Sequence, residues 1–297
     1  MAADSGQTSI LILLDLSAAF DTQVRHDILL SRMENMLGIS GTALQWFKSY
    51  LTDREEFVSL GNSRSSSALV TQGVPQGSVL GPLLFCIYML PLSHIILSYG
   101  LGYHFYADDT QLYFSVKSGT SSELSQLTTC LSEMNTWMEQ NSLKLNCNKT
   151  ELLQIGTKVQ LNKMSSFPVY LGGDLIRPAS TAKNLGVIFD SSLSYSAHIN
   201  HIKKLSYFHL HNISRVHSFL SFSNAEKLVH AFITSHIDYC NSLLAGAPSN
   251  LISQLQLIQN SAARVLTRTS HSSEHITPSC SAFTGSLCLT ESNIKSY

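Results

Sequence analysis

Residues 104–116 read HFYADDTQLYFSV, an apolar and aromatic run interrupted by one acidic pair, Asp108-Asp109. The pattern is strand, acidic turn, strand. A lone Asp-Asp pair is most often a solvated turn, but His104-Phe105-Tyr106 and Leu112-Tyr113-Phe114 on its two sides belong inside. Two like charges pinned beside a core are costly unless a cation joins them. Upstream, residues 9–14 (SILILL) form a continuous apolar run that reads as a buried strand and delivers Asp15 at its end. Three carboxylates held on a strand end and a tight turn are the ligand set of a two-metal nucleotidyl-transfer site. There one Mg²⁺ sharpens an attacking hydroxyl while a second holds the triphosphate and the leaving oxygens.

The rest of the chain is read outward from these two stretches. Residues 27–37 and 41–51 show helical spacing, with Gly38 ending the first and Leu44, Phe47 and Leu51 on one face of the second. Residues 56–60 and 68–70 flank a polar loop and predict a hairpin. A glycine-bounded loop, Gly73 to Ser78, leads into a helix that Ser78 is placed to cap. The apolar stretch 83–99 contains Pro91 and His94, which predicts a buried helix followed by a break, and no membrane span. Residues 121–140 predict a helix with Leu124, Leu127, Leu131, Met134 and Met138 as its stripe. Extended structure around a polar turn follows at 143–155, then a hairpin at 169–176 about Gly172-Gly173 and a short strand at 184–189. After Asp190 three helical segments are expected, at 198–220, 224–236 and 251–266, so the chain divides near 190 into a mixed α+β part and a helical part.

Composition excludes several classes. Hydrophobic residues make up 44% of 297, enough for one large or two modest cores. Six cysteines are scattered without a CxxC pair, which argues against a zinc site or a disulfide framework and points to a reducing, intracellular setting. The amino terminus has no basic region before its apolar run and does not read as a signal peptide. Net charge is −1, although residues 191–297 carry 7 Lys+Arg against 4 Asp+Glu and nine of the twelve histidines. Those histidines lack acidic or thiol partners at helical steps and are read as structural or surface residues. No Ser-His-Asp or HExxH pattern supports a hydrolase.

Together, Asp15-Leu16-Ser17-Ala18-Ala19-Phe20-Asp21, then Gly73-Val74-Pro75-Gln76-Gly77-Ser78-Val79-Leu80-Gly81-Pro82, then Tyr106-Ala107-Asp108-Asp109 resemble a reverse transcriptase, and more narrowly that of non-LTR (LINE-type) retrotransposons. The similarity covers roughly residues 8–278. It implies an α+β right-hand polymerase palm, an antiparallel sheet packed on helices, over residues 1–190 with partial fingers, and a helical thumb-like extension over 191–278. It implies RNA-directed DNA synthesis on an RNA template from a DNA primer with dNTPs and two Mg²⁺ (or Mn²⁺) ions, and nuclear residence. Asp15 and Asp108 match the family's metal-binding aspartates, and Asp109 belongs to the same acidic turn. Phe20 matches the steric gate against a ribose 2′-hydroxyl, and Gln76 and Gly77 match the loop against incoming nucleotide and template. Lys149 corresponds to a lysine near the triphosphate, placed to offset leaving-group charge or protonate pyrophosphate. Residues 184–190 resemble the primer-grip hairpin, and Lys203, Lys204, Arg264 and Arg268 are candidate phosphate contacts.

The chain departs from the family at both ends. Only 14 residues precede Asp15, so the fingers strands are expected to be largely missing. The match stops after Pro278, where a frameshift or displaced exon boundary would leave 279–297 as a disordered, out-of-frame tail. The competing expectation is therefore a catalytically inactive retrotransposon-derived fragment with at most weak nucleic-acid binding.

Overall fold

The apolar run at 9–14 becomes the central strand of a five-stranded sheet. The computed structural model describes residues 6–17, 24–74, 77–117, 122–164 and 168–269. In chain order these form β1 (Thr8–Leu14), α1 (His26–Asn35), α2 (Gly41–Leu51), β2 (Glu55–Glu56), β3 (Ser59–Leu60), β4 (Ser63–Arg64), β5 (Ala68–Leu69), α3 (Gly81–Ser98), β6 (Gly102–Tyr106), β7 (Asp109–Val116) and α4 (Ser122–Gln140). Then come β8 (Glu151–Ile155), α5 (Lys158–Lys163), β9 (Val169–Leu171), β10 (Asp174–Ile176), β11 (Pro178–Ala179), β12 (Thr181–Asn184) and β13 (Val187–Asp190). Helices α6 (Ser196–Val216), α7 (Phe222–Val229), α8 (Ser235–Asp238) and α9 (Ser249–Thr267) follow, and a π-helical turn (His230–Thr234) joins α7 to α8.

The sheet order is β11-β8-β1-β7-β6. Its pairings are antiparallel apart from β11, which runs parallel to β8 along Pro178↔Leu152 and Ala179↔Leu153. Strand β1 alternates strictly: Thr8, Ile10, Ile12 and Leu14 are buried while the residues between them are half-buried. Alternation of this kind puts one face on a helical layer and leaves the other partly open. The covered face meets α3 and α4 through Leu84, Phe85, Tyr88, Leu127, Leu131 and Met134, all in one cluster with Ile10, Ile12, Leu14 and Leu112.

Helix α3 departs from expectation at both ends. It starts at Gly81, not Ser78, with Pro82 in the first turn, where a missing N–H is harmless. Ser78 still serves the turn, since its Oγ accepts from Gly81 N at 3.0 Å. Pro91 does not break the helix, which runs unbroken to Ser98. The ring forfeits one intrahelical bond, but Tyr88, Met89, Leu92 and Ile96 are buried on either side of it and hold the axis across the defect. By length and composition alone α3 could cross a membrane. Its buried positions recur every three to four residues, as in a helix with one face in a core.

Behind α3 a buried cation ties three segments. Arg32, on α1 and only 9% exposed, donates to the Tyr88 carbonyl and to Asn141 Oδ1. Its guanidinium lies 4.4 Å from the Tyr88 ring centroid and 5.2 Å from that of Trp137. Tyr88 OH donates to Asn141 O at 2.7 Å, closing the network. Burial lowers the Arg32 pKa from its ordinary value.

The expected hairpin at 56–70 is nested: β2 pairs with β5 and β3 with β4, and the ladder is interrupted between the two pairs. The hairpin at 169–176 forms as β9–β10. Residues 184–189, read as one strand, contribute instead to the two-stranded sheet of β12 and β13, with positive φ at Leu185 (44°) and Gly186 (85°) in the turn. Cys86, Cys130, Cys147 and Cys240 are free thiols, and burial, aided by Glu133, pushes Cys130 up to about 12.

The chain separates into compact units of residues 1–182 and 183–297. The division falls upstream of the expected boundary at 190 because β13 packs with α6, where His198 Nδ1 accepts from Ile188 N at 3.4 Å. Tyr239 OH also donates to Leu185 O at 2.7 Å. The second unit is helical and has its own core, including Ile199, Ile202, Ile213, Ile233, Leu255 and Ile258. The expected tail at 279–297 lies outside the described residues.

Candidate active site

Register brings the carboxylates together. The last pair of β1 and β7 is Leu14↔Thr110, so one further step sets Asp15 beside Asp109. Asp109 in turn opens β7 opposite Tyr106, the last residue of β6, leaving Ala107-Asp108 as a two-residue turn. Ala107 has φ of 54°, a left-handed conformation that a residue with a β-carbon adopts at a cost of about 1 kcal/mol or more. The strained turn and the strand end therefore present Asp15, Asp108 and Asp109 at one edge of the half-open face of the sheet.

On its other side β1 pairs with β8, ending at Leu13↔Glu151. The chain before β8 wraps the end of β1. Asn146 N donates to Asp15 O (2.8 Å), Ser17 N donates to Lys144 O (2.9 Å), and Leu16 bridges Leu145. Thr150 N and Oγ1 both donate to Asn146 O at 3.0 Å, closing the turn that carries Lys149. As a result Lys149 Nζ sits 3.5 Å from Asp15 Oδ2. The lysine side chain is 68% exposed, so this pair steers and neutralises charge and adds little to stability.

The electrostatics fit the donor set expected of a cation site. Asp15 Oδ2 is buried, and the charged group beside it is the Lys149 ammonium at 3.5 Å. Burial raises the Asp109 carboxyl above its ordinary value, and the Asp108 and Asp15 charges push it further the same way. Carboxylates that repel one another in this way suit divalent cations. Among the described residues, however, no three His, Cys, Asp or Glu side chains form a closed cluster ready to hold an ion. The acids are assembled along an edge and do not converge on one point.

The floor beside them is aromatic. Tyr106 and Tyr113 are 64% and 43% exposed, and His104 stacks on Tyr113 with centroids 5.5 Å apart. Gly102 pairs with Tyr113, and a β-carbon there would lie 2.3 Å from the ring, so any larger residue must displace the tyrosine side chain.

Phe20 and Gln76 lie outside the described residues. Gly77 is exposed with φ of 76° and open space around it, so its conformation and not crowding calls for glycine. The loop leading to it is anchored by contacts that the sequence reading missed. His26 Nε2 donates to Gly73 O (2.7 Å), Gly73 N donates to Val24 O (2.7 Å), and Arg25 bridges Gln72. A histidine at the start of an amphipathic helix carries no signal of such a partner 47 residues away.

The family model described as reverse transcriptase (RNA-dependent DNA polymerase) matches residues 1–189. The chain belongs to the reverse transcriptase family. Its curated relatives are polymerases of non-LTR retrotransposons. The probable RNA-directed DNA polymerase from transposon BS of Drosophila melanogaster is 32% identical over 67% of this chain and 22% of that protein. The probable RNA-directed DNA polymerase from transposon X-element, also of Drosophila melanogaster, is 28% identical over 90% of this chain and 29% of that protein. This reverse transcriptase chain thus spans less than a third of the length of either relative. Apo telomerase from Candida Tropicalis aligns at 12% identity with a TM-score of 0.44, over 88% of this chain and 46% of that one.

Proposed function

We propose that this chain is the catalytic core of an RNA-directed DNA polymerase that extends a DNA 3′-hydroxyl with dNTPs on an RNA template. The observation that carries the reading is the meeting of Asp15, at the end of the central strand, with the strained Asp108-Asp109 turn, in a chain of the reverse transcriptase family. In this reading the five-stranded sheet is the palm and the helical unit is the thumb.

Asp15 and Asp108 would hold two Mg²⁺ or Mn²⁺ ions, and Asp109 would complete the negative rim. Bound there, the ions would supply Lewis acidity and neutralise the triphosphate. The 3′-oxygen attacks the α-phosphorus, its bond to phosphorus forms as the bond to the pyrophosphate oxygen breaks, and the hydroxyl proton passes to solvent water. Lys149, poised at Asp15, follows the growing charge on the leaving pyrophosphate or protonates it. Gly77 brings backbone close to the nucleotide, Gln76 offers a donor and an acceptor beside it, and Phe20 excludes a 2′-hydroxyl.

Mn²⁺ titration followed by electron paramagnetic resonance tests the carboxylates without requiring turnover. In the presence of a dNTP the protein should take up Mn²⁺, and Asp15→Asn or Asp108→Asn should each weaken uptake by about ten-fold or more. Equal uptake by the wild type and both variants would remove these residues from the role.

A further inference from the structure

The helical unit contains a cleft of about 450 Å³ whose lining includes Ser214, His217, Ser218, Arg264, Arg268 and Thr269. Among the described residues no carboxylate lines it. We propose that this cleft is a phosphate-binding site, distinct from the catalytic carboxylates, in which Arg264 and Arg268 grip the phosphate oxygens and His217 donates a further hydrogen bond.

The arrangement is built. Arg264 and Arg268 lie one helical turn apart, on and just beyond α9, and so share a face. Arg268 ends the helix in the left-handed region (φ 55°), and its guanidinium is fixed by donating from Nε to His217 Nδ1 (2.7 Å) and from Nη2 to His217 O (2.9 Å). That first bond sets the imidazole tautomer. With Nδ1 accepting, the proton of the neutral ring is on Nε2.

His217 is only 7% exposed, and its Nε2 has no partner among the described residues. Arg264 Nε is likewise buried without an acceptor. Two donors buried without acceptors beside two guanidiniums call for an anion with several oxygens. The C-termini of α6 and α9 each bring about half a negative charge, which two full guanidinium charges outweigh. Hydroxyls from Ser214, Ser218 and Thr269 complete a lining that suits phosphate better than a planar carboxylate.

The phosphate could be free or part of a nucleic-acid strand, and two binding assays on the full chain separate these sources. Neither depends on polymerase activity, so their outcome is independent of the proposed catalytic function. In the first, inorganic phosphate is titrated while its ³¹P linewidth is followed. The wild type should bind it, the Arg264→Gln/Arg268→Gln double variant should bind about ten-fold more weakly, and acetate at equal concentration should not displace it. In the second, the anisotropy of a labelled DNA strand of about 12 nucleotides is measured against salt. If strand phosphates occupy the cleft, the slope of log affinity on log salt falls by about 0.7 for each phosphate that the double variant no longer neutralises. An unchanged slope, together with weakened binding of inorganic phosphate, assigns the site to free phosphate.

Should the glutamine pair misfold by circular dichroism, Arg264→Lys/Arg268→Lys replaces it. Having lost both planar forks while keeping the charge, it should still bind inorganic phosphate at least about three-fold more weakly. Phosphate binding that is absent from the wild type, unchanged in the variants, or displaced equally by acetate overturns the proposal.

Discussion

Replacing Arg32 by methionine, which keeps much of the volume and removes the charge, probes how the helical layer is fastened behind the five-stranded sheet. The guanidinium donates to the Tyr88 carbonyl and Asn141 Oδ1 and lies over the Tyr88 and Trp137 rings. Losing it leaves Asn141 Oδ1 without its donor and takes a second donor from the Tyr88 carbonyl, together about 2–3 kcal/mol, and the ring interactions forfeit about 1 kcal/mol more. Against this, the cation has no carboxylate partner in the network, and burial already disfavours its charged form, so methionine recovers part of that desolvation. The balance is a loss of about 3 kcal/mol. For a unit of this size each kcal/mol moves the melting temperature by about 2–4 °C, so Tm should fall by roughly 6–12 °C, with urea unfolding showing an equal loss at unchanged slope. Arg32→Lys should recover little, because one ammonium cannot span both acceptors and stack. A loss below about 0.5 kcal/mol would mean that the guanidinium is not inserted between α1, α3 and the end of α4.

Two further perturbations address the open face and the helical unit. Gly102→Val should cost about 1–2 kcal/mol because its β-carbon would meet the Tyr113 ring; in a Tyr113→Ala background the same change should be nearly neutral, and additive losses in the double-mutant cycle would refute the clash. Asp190 accepts from the backbone N–H and hydroxyl groups of Ser192 and Ser194. Burial alone would raise its carboxyl, but these bonds together outweigh it and hold the pKa below the ordinary 3.8. Its stabilisation is thus complete above about pH 4 and is lost as pH falls through the lowered folded value. Asp190→Asn should therefore be less stable than wild type by about 1 kcal/mol at neutral pH, with the gap closing on acidification; a gap that does not vary with pH would contradict the assignment.

Much of this was legible because periodicity and burial agree. Strand β1 announced itself by an unbroken apolar run, which a central strand shows when neither face is fully solvated. Helix α2 fell on the expected residues, Gly41 to Leu51, and α4 began within one residue of expectation. The failures have local causes. Pro91 was read as a break because a proline's lost bond is visible in sequence, whereas the packing of Tyr88, Met89 and Leu92 that tolerates it is not. Strand β11 is two residues long and begins with Pro178, too short for any period. Arg32 was not singled out in the sequence, yet it lies three residues from Leu29 and beside Met33, both buried, and that spacing was the available signal. At the site, the types and order of Asp15, Asp108 and Asp109 were readable, but their shared rung came only from the pairing of β1 with β7. The link between Lys149 and Asp15 likewise needed the turn at 146–150.

Primer extension tests the central claim most directly. The full chain is given an RNA template, a DNA primer, dNTPs and Mg²⁺ or Mn²⁺, beside an Asp108→Asn variant shown to fold by circular dichroism. The predicted result is template-directed extension by the wild type and a loss of about 10³-fold or more in the variant, in line with removal of a group acting directly at the developing charge. Folded wild-type protein that extends no primer, or a variant that extends as well as wild type, would contradict the assignment of Asp15, Asp108 and Asp109 as a working polymerase centre.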